Sequence, residues 1–314
     1  MIEPMLWFVA GLVMLLLGAD SFLKGASGLA LHFGISPFVV GLTIVGFGTS
    51  APELAVNLLA AYRDSYGLAL GNVVGSNVAN VGLILGTCAL ASPLAVQMRL
   101  LRVEGPILIA ASIVLWLLCV DGTIGSVDAV ILLGGFVALM AYVARNAKLE
   151  TSEVKEGLAE FAQTRTELGR NVVRLLIGLA LLVFGAQQMV DAALQLARMW
   201  GWSDVLIGLT VVAIGTSLPE LASSLMAVYR GQNDIAVGNV VGSNLFNILL
   251  ILGATAAFHP LPVERSMITF DLPVMVSFMI VAYLFMHRHG KITRREGAVL
   301  LAGWIGFNLW QIVA

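Results

Sequence analysis

Charge is what this sequence has least of. Its 314 residues include 17 Lys+Arg and 19 Asp+Glu, 11% charged against 59% hydrophobic. Soluble globular chains carry about 25% charged residues, and a single water-facing fold of this length does not hide so much apolar side chain. The shortage comes in blocks. Residues 4–19, 25–52, 65–98, 105–120, 129–144, 175–190, 235–263, 272–287 and 297–314 contain no Asp, Glu, Lys or Arg. A helix that crosses a bilayer needs about 20 mostly apolar residues. The chain therefore reads as a multi-span membrane protein, which excludes a soluble enzyme, a nucleic-acid binder and a secreted disulfide scaffold. Cysteine is nearly absent too. Cys88 and Cys119 both fall in apolar runs, where packing thiols are expected rather than a disulfide. The start, Met1-Ile2-Glu3-Pro4, lacks a basic n-region, so the first apolar run is expected to be a retained helix. The four histidines stand near span boundaries with no HExxH pattern, and no cofactor is expected.

What is present is periodic. Turn and charge clusters cut the chain into ten expected helices at about 5–24, 37–62, 69–91, 104–120, 126–145, 172–198, 204–229, 235–258, 268–287 and 296–313. The long polar stretch 146–171 is expected to be a solvated linker between units 1–145 and 172–314. Gly41–Gly86 and Gly208–Gly253 align without a gap at an offset of 167, with 28 of 46 positions identical. Each unit then holds five spans. Five is odd, so the second unit enters the membrane inverted relative to the first. Charge placement agrees. With both termini outside, 14 of the 17 basic residues fall on the inner side, and only Arg63, Arg198 and Arg265 fall outside, as the positive-inside rule requires. Inverted repeats with a site at their interface mark secondary transporters.

Two glutamates stand where a bilayer should forbid them. Glu53 follows 28 uncharged residues and Glu220 follows 15, at the same place in the two repeats, within GTSAPE and GTSLPE. A carboxylate at membrane depth costs several kcal/mol, and repetition argues for use. Thr49 and Ser50 precede Glu53 by four and three residues, as Thr216 and Ser217 precede Glu220; on a helix these share a face. Pro52 and Pro219 each deprive the carbonyl four residues back of its helical donor. In the next helix Asn72, Ser76 and Asn80 form a polar stripe, matched by Asn239, Ser243 and Asn247. Ser76, Asn80, Ser243 and Asn247 are the expected ligands, while Asn72, Asn77, Asn239 and Asn244 read as packing or supporting residues beside Gly71, Gly75, Gly238 and Gly242. Carboxylate, hydroxyl, amide and carbonyl oxygens suit hard cations; calcium takes about six to eight. Elsewhere, Asp20 and Lys24 are spaced for an i,i+4 ion pair and Gln187 and Gln188 for packing or an access path.

The paired GTSxPE and GNxxGSNxxN segments resemble the two α-repeats of the calcium/cation antiporter superfamily, the sodium/calcium exchangers. The resemblance implies an all-α membrane protein of ten transmembrane helices, arranged as two inverted five-helix repeats around a central cation site. It implies Glu53 and Glu220 as principal ligands. Thr49, Ser50, Thr216, Ser217, Ser76, Asn80, Ser243 and Asn247 would complete the cage with backbone oxygens of Gly46 and Ala213. The first and sixth helices would slide to switch access. Some relatives carry Asp where Asn247 stands; here Asn80 and Asn247 are both neutral, which points to potassium-independent exchange. The implied partners are Ca²⁺ and Na⁺ (or H⁺, since glutamates also bind protons) and the lipid of a cell membrane. No nucleic acid or protein partner is implied.

Overall fold

The computed structural model describes residues 2–146, 167–200 and 215–313. Ten helices run through them: α1 Ile2–Phe33, α2 Pro37–Tyr62, α3 Tyr66–Ala91, α4 Leu100–Leu118, α5 Ser126–Arg145, α6 Leu168–Met199, α7 Leu218–Tyr229, α8 Asn233–Phe258, α9 Met267–His289 and α10 Arg294–Val313. Eight are long and apolar enough to span a membrane. Of the other two, α10 starts on Arg294, Arg295 and Glu296, and the segment before α7, residues 201–214, lies outside the described residues. So does most of the expected linker, 147–166.

The sequence boundaries need correction. The first helix does not stop near residue 24 but runs on to Phe33, ending at Gly34 with φ +67. Lys24 does not end it because its ammonium is neutralised by Asp20 at 2.7 Å on the same helix. The fourth and sixth helices begin at Leu100 and Leu168, each four residues earlier than expected.

α1 and α6 run antiparallel in close contact, and glycine makes that possible. A Cβ on Gly11 would lie 2.7 Å from Gly185 O; on Gly185 it would lie 2.9 Å from Gly11 O. One on Gly18 would meet Leu182 N at 2.8 Å and Gly178 O at 2.9 Å. Gly11 and Gly18 are the 167-offset images of Gly178 and Gly185, so this interface relates one half to the other about an approximate two-fold axis. Small residues that let backbones approach drive helix association where lipid removes the hydrophobic force. Gly238 of α8 meets Phe38 O of α2 in the same way, at 2.5 Å from its would-be Cβ.

Four two-residue strands, which hydropathy does not reveal, pin the halves together. β1 (Leu94–Ala95) pairs antiparallel with β4 (Lys291–Ile292), and β2 (Thr123–Ile124) with β3 (Leu261–Pro262). Leu94 and Leu261 differ by the repeat offset, and each ribbon joins one half to the other. Wide π-helical turns repeat as well: Leu100–Glu104 answers Met267–Asp271, and Asn80–Leu85 answers Phe246–Leu252.

Burial separates a centre from a rim. In α8 every residue from Ile235 to Leu245 is buried, while α1, α5 and α6 expose large apolar side chains such as Leu17, Val130 and Leu176. A contiguous apolar outside is stable only against lipid. Gly18→Ala is expected to destabilise the fold by about 1–3 kcal/mol through overpacking, whereas Gly134→Ala, with nothing within 4 Å, is expected to be neutral. Thermal unfolding in detergent compares them; equal midpoints would mean that α1 and α6 are not in backbone contact.

Candidate cation site

Four helices, α2, α3, α7 and α8, bring the polar residues of both repeats to one buried place. Pro52 lies inside α2 and Pro219 at the start of α7. Glu53 thus follows a turn with a missing donor, and Glu220 sits in the first turn of α7, where the helix dipole favours an anion. Glu53 and Glu220 are each only 3% exposed. They lie within electrostatic reach of each other, and among the described residues no Lys or Arg offsets either carboxylate. Thr49 and Ser50 face the Glu220 carboxyl, though neither closes a hydrogen bond on its Oε2.

Asparagines fix the frame. Asn239 Nδ2 donates to Ser224 Oγ at 2.9 Å and Ser223 Oγ at 3.2 Å. Its Oδ1 is 3.2 Å from Thr49 Oγ1, which also has Val45 O at 3.0 Å and Gly46 O at 3.4 Å. One side chain of α8 therefore ties α2 to α7. Asn80 Nδ2 donates to Asn244 Oδ1 at 3.2 Å, and Asn247 Nδ2 to Asn77 Oδ1 at 3.0 Å. These two bonds are images at the repeat offset, crossed between halves. With its amide nitrogen committed, Asn247 turns Oδ1 the other way, where it has no protein partner.

Partnerless buried oxygens gather here: Glu53 Oε2, Glu220 Oε2, Ser50 Oγ, Ser217 Oγ and Asn247 Oδ1. Leaving buried polar groups unpaired costs about 1–3 kcal/mol each, and more when charged. Oxygen donors of this kind, carboxylate, hydroxyl and amide, suit hard cations such as Na⁺ or Ca²⁺ rather than a soft metal.

Of the other residues singled out from the sequence, Ser76, Asn80 and Ser243 are buried at the same place, and Ser243 Oγ is 3.4 Å from Gly46 O. Thr216 differs from its image Thr49: it is exposed, because α7 begins only at Leu218 and Thr216 lies in the turn before it. Ser217 is the N-cap of α7 but makes no side-chain capping bond. Ala213 lies outside the described residues.

Three participants were not singled out from the sequence. Asn57 Nδ2 donates to Glu53 O at 2.9 Å, Ser223 Oγ to Glu220 O at 3.0 Å, and Ser224 receives Asn239. The available signal was that Ser224 is the offset image of Asn57, a polar position kept within two apolar runs. Asn239→Ala would strip Ser223, Ser224 and Thr49 of a buried partner, and is expected to lower stability by about 1–3 kcal/mol. A thermal midpoint equal to that of the unmodified protein would count against this role.

Comparison with known proteins agrees along the whole chain. A family model described as "Sodium/calcium exchanger protein" matches residues 3–145 and 170–313. Sodium/calcium exchanger MaX1 of Methanosarcina acetivorans is 33% identical, over 95% of this chain and 95% of its own. Ca(2+)/H(+) antiporter ChaA of Bacillus subtilis is 27% identical over 86% and 82%. Among solved structures, that of the sodium-calcium exchanger NCX_Mj superposes with a TM-score of 0.82 at 33% identity, covering 97% of each chain.

Proposed function

Because the chain belongs to the sodium/calcium exchanger protein family, we propose that it is a secondary active transporter exchanging Na⁺ for Ca²⁺ by alternating access. The observation that carries this reading is the pair Glu53 and Glu220, buried together without a basic counter-charge among oxygens that lack partners. Na⁺ and Ca²⁺ share both carboxylates and so compete for them. Ser50, Thr49, Ser217, Ser76, Asn80, Ser243 and Asn247 supply neutral oxygen around them, with the backbone at Gly46; Ala213 is its counterpart by repeat symmetry, whereas Thr216, exposed in this structure, stands outside the set. An unloaded dianionic site is costly to carry through a low-dielectric barrier, whereas a loaded one is neutralised. Coupling follows because the empty protein does not cross between access states. No bond is made or broken in the cargo, so this is transport and not catalysis.

Asn80 and Asn247 add no charge. Two carboxylates balance one Ca²⁺ or two Na⁺, and among the described residues no third acid joins them to favour K⁺ as a co-substrate. Both termini are assigned to the extracytoplasmic side of a cell membrane, from the 14 to 3 split of basic residues.

Glu53→Gln is expected to abolish ⁴⁵Ca²⁺ uptake driven by an outward Na⁺ gradient in proteoliposomes while leaving the protein folded. Near-normal exchange by this variant would sink the assignment. A second reading, H⁺ in place of Na⁺, draws on the likeness to a relative named a Ca²⁺/H⁺ antiporter and on the ability of both carboxylates to take protons. Replacing the Na⁺ gradient by a pH gradient decides between them. Uptake only with Na⁺ is the expected result; uptake driven by pH alone selects the alternative.

A further inference from the structure

The two halves share a sequence pattern but not a bonding state, and the difference is systematic. At the C-terminal end of α7, Arg230 Nη2 reaches Asp20 of α1 at 2.5 Å, and Lys24 holds the other oxygen of the same carboxylate at 2.7 Å. This charge cluster fastens α1 to α7. Moving Arg230 by the repeat offset gives Arg63, at the end of α2; moving Asp20 and Lys24 gives Gln187 and Asp191 on α6. Arg63 and Asp191 are exposed, and among the described residues neither is in an ion pair. Asp191 lies one helical turn beyond Gln187, so the second half also has an acid on α6 to meet the base at the end of α2.

The buried layer shows the same asymmetry independently. Asn239 Nδ2 donates to Ser224 Oγ at 2.9 Å. The image of that bond runs from Asn72 to Asn57. There Asn72 Nδ2 and Asn57 Oδ1 are both buried and both without a partner: one unused donor and one unused acceptor, the two groups that would satisfy each other. A donor beside an acceptor is not a cation cage. It is an open form of the contact that the other half has closed.

In an inverted-repeat transporter the two access states are related by exchange of conformation between the halves. Contacts closed in one half and open in its image are therefore expected to trade places. We infer that Asp20–Arg230 with Asn239–Ser224, and Asp191–Arg63 with Asn72–Asn57, are two alternating latches, one for each access state. In this structure the first is shut and the second open. The Arg230 face is the inner one by the distribution of basic residues, so the inner end is latched and the outer end released. The latches are unequal: the first joins three charges, Asp20, Lys24 and Arg230, and the second has two. Partly exposed ion pairs are weak, so the latch biases the two states without locking either, as a transporter that must cycle requires. The inference rests on the alternating-access reading above.

Disulfide trapping tests it. Asp20→Cys/Arg230→Cys and Asp191→Cys/Arg63→Cys are prepared as full-length protein in proteoliposomes, with the native Cys88 and Cys119 buried. Cross-linking is read by mass spectrometry of peptides. Both pairs are expected to cross-link, each trapping one state, and in the four-cysteine protein no molecule should carry both links. Adding Asp20→Asn to the Asp191→Cys/Arg63→Cys protein should raise its cross-linking rate several-fold, because the opposing latch is weakened. Failure of the second pair to cross-link where the first does, both links in one molecule, or a rate unmoved by Asp20→Asn would each overturn the latch. Because the readout is a covalent link and not a flux, absence of exchange in the unmodified protein would overturn the transport reading and leave the latch to be judged on its own.

Discussion

Two carboxyl groups held together in a medium that does little to screen charge set the terms for the rest of the molecule. When ionised, Glu53 and Glu220 repel each other, and among the described residues no Lys or Arg answers them. Such a pair is tolerable only in a frame stiff enough to hold it and polar enough to share the burden. The frame is α8, buried on all sides from Ile235 to Leu245, with Gly238 and Gly242 letting α2 lie against it backbone to backbone. The polar share comes from Asn239, which spans α2 and α7, and from the crossed Asn80–Asn244 and Asn247–Asn77 bonds. Asn80 and Asn247 each give an amide hydrogen to an asparagine of the opposite half, and Asn247 Oδ1 is left without a protein partner.

The periphery follows different rules. α1 and α6 have apolar outer faces and touch each other through glycine. Interlocked at Gly11, Gly18, Gly178 and Gly185, they form a two-helix unit laid against the core. The ribbons β1–β4 and β2–β3 tie the remaining helices of one half to those of the other. A paired unit on a cross-braced body gives rigid-body motion a structural basis, with change inside the body confined to contacts such as Asn239–Ser224 and Asn72–Asn57.

Much of this was legible in the sequence because it was written twice. Glu53 and Glu220 stand out by depth and by their shared offset, and the Asn72-Ser76-Asn80 stripe by helical spacing. Spans such as α2, α5 and α8 were bounded by charge and turn residues, and the structure agrees within a few residues. What escaped depended on pairing at long range. Strands of two residues carry no periodicity; they form because distant loops meet. The Asp20–Lys24 pair was legible from its spacing, but that Arg230, 210 residues away, joins it was not. Asn57, Ser223 and Ser224 look like ordinary helix polarity until Glu53 O, Glu220 O and Asn239 are seen to be their partners. Thr216 shows the converse: a faithful copy of Thr49 in sequence, it is exposed because its helix starts later.

The crossed asparagines also bear on ancestry. Asn80 finds its acceptor on Asn244 and Asn247 on Asn77, so each half completes a contact belonging to the other. A duplicated segment is ordinarily free to diverge from its twin once the fold no longer needs two copies. Here a replacement at Asn77 is felt at Asn247, in the opposite copy, and one at Asn244 is felt at Asn80. The twins are therefore bound to drift in step at these positions, however far the lipid-facing residues around them wander.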